Sequence, residues 1–258
     1  MLKVFGVGTG ETGRRTRIGL IAPASDILIE RDFWRMGLAA GADIYTTRVP
    51  LEMPLTPENL RKLGDGITAA AGLLLPDSEI DAVVFGCTSG SAVIGSEVVA
   101  SLVHAAIPSV QVTNPALSAV EAFRHLACSR IAFVAPYTPD VAQITAGVFE
   151  AAGIAIADGL CFNLSTDVEI AQPTPEDFLA AVRALDLGSA DAIFLSCTTS
   201  RALDAITDIE AATGLSVVTS NQAAFWHAMR LAGHSPAISG FGQLLALPNG
   251  RVPLQGPT

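Results

Sequence analysis

Two cysteines occupy the same position in a repeated phrase. Asp81 opens DAVVFGCTSGSA and Asp191 opens DAIFLSCTTSRA. Each phrase is a short apolar run that reaches Cys-Thr and continues into small residues and a helix-like segment. A thiolate adds to electron-poor carbon and can also take a proton from carbon. A cysteine just ahead of a helix meets the positive end of the helix dipole and free backbone N–H groups, which favour the thiolate. The same N–H groups, with the hydroxyls of Thr88, Ser89, Thr198 and Thr199, can hold a carboxylate without any lysine or arginine. A cysteine after a strand is also a common small buried hydrophobe. Two at equivalent positions, each in Cys-Thr-Ser/Thr, favour chemistry at Cys87 and Cys197. Cys128 and Cys161 lack that setting and read as structural.

The elements that position these residues alternate. Near-continuous apolar runs predict strands at Ile18–Ala22, Ala42–Thr47, Ala82–Phe85, Ser109–Thr113, Ile131–Ala135, Ala192–Leu195 and Ser216–Thr219, with a less defined one near Ala155–Leu160. Helix-length segments lie between them: Thr56–Leu74, Val93–Ala106, Pro115–Ala127, Val141–Ala152, Pro175–Leu185, Arg201–Ala212 and Gln222–Leu231. Buried strands alternating with helices predict an α/β fold with parallel sheets covered on both faces.

The alternation runs twice. RIGLIAPASD resembles RIAFVAPYTPD, 113 residues on, and the two Cys-Thr phrases are 110 apart. IPSVQVTNPA resembles GLSVVTSNQA in the same order. Three matched blocks predict one duplicated lobe, with residues 1–116 and 117–232 as the two copies. The tail 233–258 could cross back to the first. Ligands of open parallel sheets bind outside the carboxyl ends of the strands. Two lobes facing one another would therefore bring both cysteines to one cleft.

Composition sets bounds on partners. The 258 residues are 50% hydrophobic, 16% charged and 6% aromatic, with a formal net charge of −10. An acidic chain is a poor match for nucleic acid or an anionic membrane surface. No apolar run is long enough for a membrane span, and MLKVFGVGTGETGRRTR lacks a signal-peptide core, so a cytoplasmic protein is expected. No Cys-x-x-Cys pair or cysteine–histidine spacing suggests a metal site. The apolar composition leaves room for a homo-oligomer, a dimer or larger.

FGCTSGSAVIG and FLSCTTSRALDAI, with GLIAPASD, VAPYTPD and VVTSNQAAFW, resemble the aspartate/glutamate racemase superfamily. The likeness is greatest to its maleate cis–trans isomerase and arylmalonate decarboxylase branch. IAPASDILIERDF and TSNQAAFWHAMRLAG resemble in particular the ectoine-utilisation protein A group, whose members are maleate isomerase-like. The resemblance covers most of residues 17 to 240. It implies a cofactor-independent enzyme of two pseudo-symmetric flavodoxin-like lobes, each a mainly four-stranded parallel sheet, acting on a small carboxylate or amino-acid-like substrate. It implies Cys87 as a nucleophile that adds to an alkene carbon, Cys197 as its acid/base partner, and Tyr137 as a hydrogen-bond donor to a carboxylate. Racemases of the superfamily would use the two thiols as opposed bases, which is the alternative reading. Arylmalonate decarboxylases have glycine in place of the first cysteine, which Cys87 contradicts. A non-catalytic two-lobed binding protein is the reading from a different class.

Two positions depart from the isomerase pattern. Asp26, in PASD, and Asp167, in STDVEIA, stand where that pattern has asparagines. An amide can donate to a carboxylate, whereas an ionised aspartate only accepts. The exchange suits a substrate with an ammonium or amide N–H. Asp26 is also suited to cap the segment that follows it. Elsewhere, the glycine-rich Gly6–Gly13 lacks the P-loop ending and reads as a tail. The four histidines read as surface or packing residues, and Asn114 and Asn221 as cleft-lining or cap residues. Glu30, Arg31 and Asp32 read as a charged helix start or a rim of the site.

Overall fold

The computed structural model describes residues 14–76 and 78–247. Gly6–Gly13 and the terminal PNGRVPLQGPT lie outside the described residues. The first half runs β1(Thr16–Pro23), α1(Ile29–Ala40), β2(Ala42–Val49), α2(Pro57–Lys62), α3(Gly64–Ala71), β3(Ala82–Phe85), α4(Thr88–Ile94), α5(Ser96–His104), β4(Gln111–Thr113) and α6(Pro115–His125). The second runs β5(Arg130–Tyr137), α7(Pro139–Ala151), β6(Ala155–Leu164), α8(Asp167–Ile170), α9(Pro175–Arg183), β7(Ala192–Leu195), α10(Ala202–Thr213), β8(Ser216–Thr219), α11(Ser220–Leu231) and α12(Gly242–Ala246). All eight strands pair in parallel, in the orders β2-β1-β3-β4 and β6-β5-β7-β8. The duplication read from the sequence is a duplication of topology.

The repeated phrases now have a mechanical meaning. AVVF of β3 and AIFL of β7 are fully buried, and each large side chain so buried contributes about 1.5–3 kcal/mol. The aspartate opening each phrase ties the start of its strand to the neighbouring one. Asp81 accepts from the Arg17 N–H at 2.8 Å, and Asp191 from those of Ser129 and Arg130 at 2.9 and 3.0 Å. The cysteines stand at the opposite, carboxyl ends of the same strands.

Two long helices expected from composition are broken. Thr56–Leu74 divides into α2 and α3 around Leu63, where Gly64 and Gly66 weaken the helix. The second helix starts earlier than expected, directly after Cys87, and is interrupted by Gly95 at φ 94°, a region that favours glycine. α1, of which only the charged start at Glu30–Asp32 was read from the sequence, buries Ile29, Phe33, Met36 and Gly37 on one face and ends on left-handed Gly41 at φ 73°. Its Arg31 and Arg35 obscured that stripe.

With the division drawn after α6 rather than at residue 116, the halves exchange their last helices. Phe123 of α6 lies edge-on to Phe149 and Phe194 of the second half, at 5.9 and 6.0 Å. Phe225 of α11 meets Phe33 of α1 at 5.7 Å, and α11 also packs on β3 and β4. Such aromatic pairs add about 0.5–1.5 kcal/mol beyond area burial. The element that crosses back to the first lobe is therefore α11, ahead of the tail. Beyond it the described tail touches both lobes: Gln243 donates its N–H to Glu210 at 3.0 Å and accepts from Ser216 at 2.8 Å, and Phe241 lies under Arg35 of α1 at 5.7 Å. The reason is apolar surface. α11 buries Ala223, Ala224, Phe225, Trp226, Ala228 and Met229 and needs cover on more than one side. Among the described residues no helix is long and apolar enough to cross a membrane.

Candidate active site

With β1 paired to β2 on one side and β3 on the other, the strand order reverses between β1 and β3, and likewise between β5 and β7. Those are the switch points at which open α/β sheets bind ligands. Ser25 and Asp26 follow β1 and Cys87 follows β3, while Tyr137 ends β5 and Cys197 follows β7. The two switch points face one another. Cys87, Thr88, Ser89, Tyr137, Asp167, Cys197, Thr198 and Thr199 line one pocket, which Pro23, Leu51 and Leu55 close. Its free volume is ≈ 10 Å³, about enough for one water. Larger grooves exist on the surface, such as one of ≈ 300 Å³ between α7 and β6, but Glu150 and Cys161 are its only titratable side chains.

Cys87 is the N-cap of α4. Its backbone is extended, at φ −144° and ψ 115°, and its Sγ accepts the Gly90 N–H at 3.3 Å. A Cβ on Gly90 would stand 2.9 Å from that sulfur and 2.8 Å from Leu63, so only glycine lets the donor approach. Gly86 is equally constrained, since its Cβ would lie 2.5 Å from Ile29. The helix end favours the thiolate as expected, but it is outweighed. Burial, with the nearby charges of Asp167 and Asp26 adding to it, pushes the Cys87 thiol up to about 12 against the lowering effect of Gly90 and Ser89.

Cys197 is built differently. It sits at φ 92°, in a region that a side chain enters at a cost of about 1–3 kcal/mol. Its N–H donates to Ser220 Oγ at 3.0 Å, and its carbonyl accepts from Ser200 at 3.0 Å. The expectation of a helix directly after each cysteine fails here. Thr198–Arg201 form an irregular turn, and α10 starts at Ala202. Burial also raises the Cys197 thiol well above its ordinary value, with the Asp167 charge adding and a hydrogen bond with Tyr137 opposing. The Tyr137 hydroxyl, itself raised by burial beside Cys197, stays a neutral donor and accepts from Ser196 at 3.3 Å.

The two acidic residues reach the same place by different routes. Asp26 is not the N-cap of α1, which is Leu28, but its Oδ1 accepts from the Leu28 and Ile29 N–H groups at the helix start, at 2.8 and 2.9 Å. Its Oδ2 is buried without a partner, in a residue 1% exposed, and its charge bears on both thiols and on Asp167. It does not itself line the pocket. Asp167 does. It is 6% exposed and opens α8 behind a capping box of Thr166 and Glu169. Ser25 of the other lobe donates to it. Burial pushes Asp167 up to about 6, with Asp26 raising it and Ser25 lowering it.

Ser220 escaped the sequence reading. Fully buried at the start of α11, it accepts from Thr88 at 2.8 Å and from the Cys197 N–H at 3.0 Å, so one hydroxyl joins the two cysteine loops. Thr113, its match in the repeated block though not in the strand register, instead bonds Ser118 and His227, at 2.7 and 2.8 Å. The signal that could have found Ser220 was its place beside Asn221 in the third repeated block. Asn221 donates to Thr198 O at 2.9 Å and to buried Asp32 at 2.8 Å. Asp32 in turn holds Arg31, which bridges to Asp204 at 2.9 Å. Asp32 thus braces the site from inside the protein, while Glu30 pairs with Arg48. Asn114 is a cap, accepting from Leu117 at 3.0 Å. No group of His, Cys, Asp or Glu among the described residues could hold a metal ion.

The family model for arylmalonate decarboxylase matches residues 40–245. The maleate isomerase of Nocardia farcinica is 25% identical over 240 residues, spanning 89% of this chain and 95% of that protein. The arylmalonate decarboxylase of Bordetella bronchiseptica is 34% identical over a shorter stretch, 51% of this chain and 56% of that protein. Among solved structures, the maleate isomerase of Pseudomonas putida S16 superposes with a TM-score of 0.83 at 21% identity, covering 90% of this chain and 98% of that one. A Nocardia farcinica maleate cis–trans isomerase variant with a covalently bound succinylcysteine intermediate gives 0.82 at 24% identity, covering 90% and 98%. The long curated relatives are isomerases, the fold is theirs, and the chain belongs to the arylmalonate decarboxylase family.

Proposed function

We propose that this protein is a cysteine-dependent cis–trans isomerase of a small unsaturated carboxylate, working by addition, rotation and elimination. One observation carries the reading: two thiols from equivalent strand ends line a single closed pocket, and only Cys87 replaces the glycine that a decarboxylase of this family would have there. The names of the isomerase relatives support it.

In this reading Cys87 Sγ forms a bond to one alkene carbon. The π electrons of the C=C bond move into the conjugated carbonyl and give an enediolate. The thiol proton passes to that enediolate by way of Cys197, which releases one proton and takes up another. The former double bond is now single and rotates. Cys197 then takes the proton back from the adduct as it returns its own to the departing Cys87 sulfur, the C=C bond re-forms as the trans isomer, and the Sγ–C bond breaks. Nothing is consumed. The raised thiols fit this sequence, because a thiolate leaving such a site recaptures its proton readily. The hydroxyls of Ser89, Thr198, Thr199 and Tyr137 hold the substrate's oxygens, while that of Thr88 is given to Ser220. The likeness to the ectoine-utilisation protein A group supports an amino-acid-derived substrate.

Proton NMR of the purified protein with cis-butenedioic acid and its monoamide tests the reading. Conversion to the trans isomer that disappears in Cys87→Ala supports it. Deuterium uptake from D₂O at the α-carbon of an amino acid, with no alkene isomerised, overturns it in favour of a racemase.

A further inference from the structure

The geometry points to a substrate with one carboxylate and, at its other end, an N–H donor: a cis-enoic acid monoamide rather than a dicarboxylate. The alkene part rests on the isomerase reading, whereas the preference for an N–H end does not.

Three observations converge. First, no lysine or arginine among the described residues lines the pocket. The nearby Arg48 is committed to Glu30 and to the carbonyls of Pro23, Ala24 and Asp26, and Arg201 donates to Ala171 O at 3.1 Å. A second substrate carboxylate would therefore meet no cation. Second, Asp167 lines the pocket and Asp26 stands behind it. Both are buried and both act on the thiols. An ionised carboxylate only accepts hydrogen bonds, so it repels an anion and welcomes an N–H. Third, Asp26 Oδ2 is buried with its hydrogen-bonding capacity unused. Asp26 does not line the pocket, so it adds uncompensated negative charge near the thiols and Asp167 rather than a contact.

The reaction favours the same substrate. Addition to a dicarboxylate makes an enediolate with two negative charges on one end and a carboxylate on the other. Addition conjugated to a neutral amide makes an enolate with one charge fewer. In a pocket with no cation and two acidic residues, the less charged intermediate costs less. An amide also keeps the conjugation that addition needs, which an ammonium group on saturated carbon does not supply.

Saturated analogues test the preference without turnover. Titration calorimetry at pH 8, with Asp167 ionised, compares succinamate with succinate on the wild-type protein, Asp167→Asn and Asp26→Asn. The wild type should bind succinamate about tenfold tighter or more, the discrimination expected of a site built around a hydrogen bond. Asp167→Asn should bring the ratio close to one or reverse it. Asp26→Asn keeps an oxygen for the start of α1 and serves as the second variant should the first not fold. Equal or tighter binding of succinate by the wild type, no measurable binding of succinamate, or an unchanged ratio in a folded variant overturns the inference. If succinamate is preferred but no alkene is isomerised, the isomerase reading falls and this one stands.

Discussion

The two cysteine loops share a sequence phrase and a topological position, yet they are not equivalent. Cys87 has relaxed backbone and takes an N–H from Gly90. Cys197 has φ 92°, gives its own N–H to Ser220 and meets Tyr137. Duplication placed two thiols at one cleft, and the surroundings then divided their work. Cys87 has the setting of a nucleophile, with a donor aimed at its sulfur. Cys197 has the setting of a proton carrier, held in a fixed direction beside a neutral phenol.

The strongest way to break this comparison is to remove each sulfur. Cys87→Ala should lower kcat by about 10⁴-fold or more, as loss of a covalent nucleophile does. Cys197→Ala should cost about 10²–10⁴-fold, the range of a general acid–base group. Mass spectrometry of the protein with substrate should show an adduct on Cys87 in the Cys197→Ala variant and none on Cys197 in the Cys87→Ala variant. Adducts in both would make the two thiols interchangeable.

A smaller effect concerns the charge beside them. Asp167 rises from 3.8 to about 6 on folding, which corresponds to about 3 kcal/mol. Its folded-state pKa lies above the unfolded one, so the folded protein binds the proton more tightly. Stability should be greatest below about pH 4 for this group and should fall as pH rises to about 6. Asp32, also pushed up to about 6 by burial, acts in the same direction. Urea unfolding at pH 5 and pH 7.5 should show a loss in the wild type that Asp167→Asn reduces. An identical loss in the variant would assign the whole dependence elsewhere.

The third pair of substitutions sharpens the asymmetry. Ser220→Ala removes the acceptor shared by Thr88 and Cys197 and should cost about 1–3 kcal/mol, with kcat falling as well. Thr113→Ala, at the position the repeated block aligns with Ser220, should lower stability by a similar amount and leave kcat near wild type, because the Thr113 hydroxyl bonds Ser118 and His227. Equal losses of kcat would mean that both serve the cleft. Last and smallest, Gly90→Ala should destabilise by about 1–3 kcal/mol through its contacts with Leu63 and the Cys87 sulfur.

Much of this was legible before the structure. Strands β3, β7 and β8 run over the residues that their apolar runs predicted, because a strand buried on both faces leaves a continuous hydrophobic record. The repeated blocks revealed the duplicated sheet, and eight of the site residues line the pocket it forms. Other features left weaker traces. The α1 stripe was crossed by arginines that pair with Asp204 of the other lobe. The break at Gly95 and the irregular turn after Cys197 depend on backbone angles, and CTSG and CTTS hardly differ as composition.

By itself, then, the sequence determined the alternation of strands and helices, the duplication of the lobe and the presence of two thiols, since these follow from apolar periodicity and from repetition. Only the tertiary structure decided what each thiol is. Their proton affinities come from burial and from Asp167 and Asp26. Their orientations come from Gly90, Tyr137 and Ser220. Apart from Gly90, three residues along, these partners are distant in the chain and meet only when the strands of each sheet assemble and the lobes face one another. Charge and hydrogen bonding act through space over a few ångströms, so neighbours of this kind leave no periodic mark on the sequence.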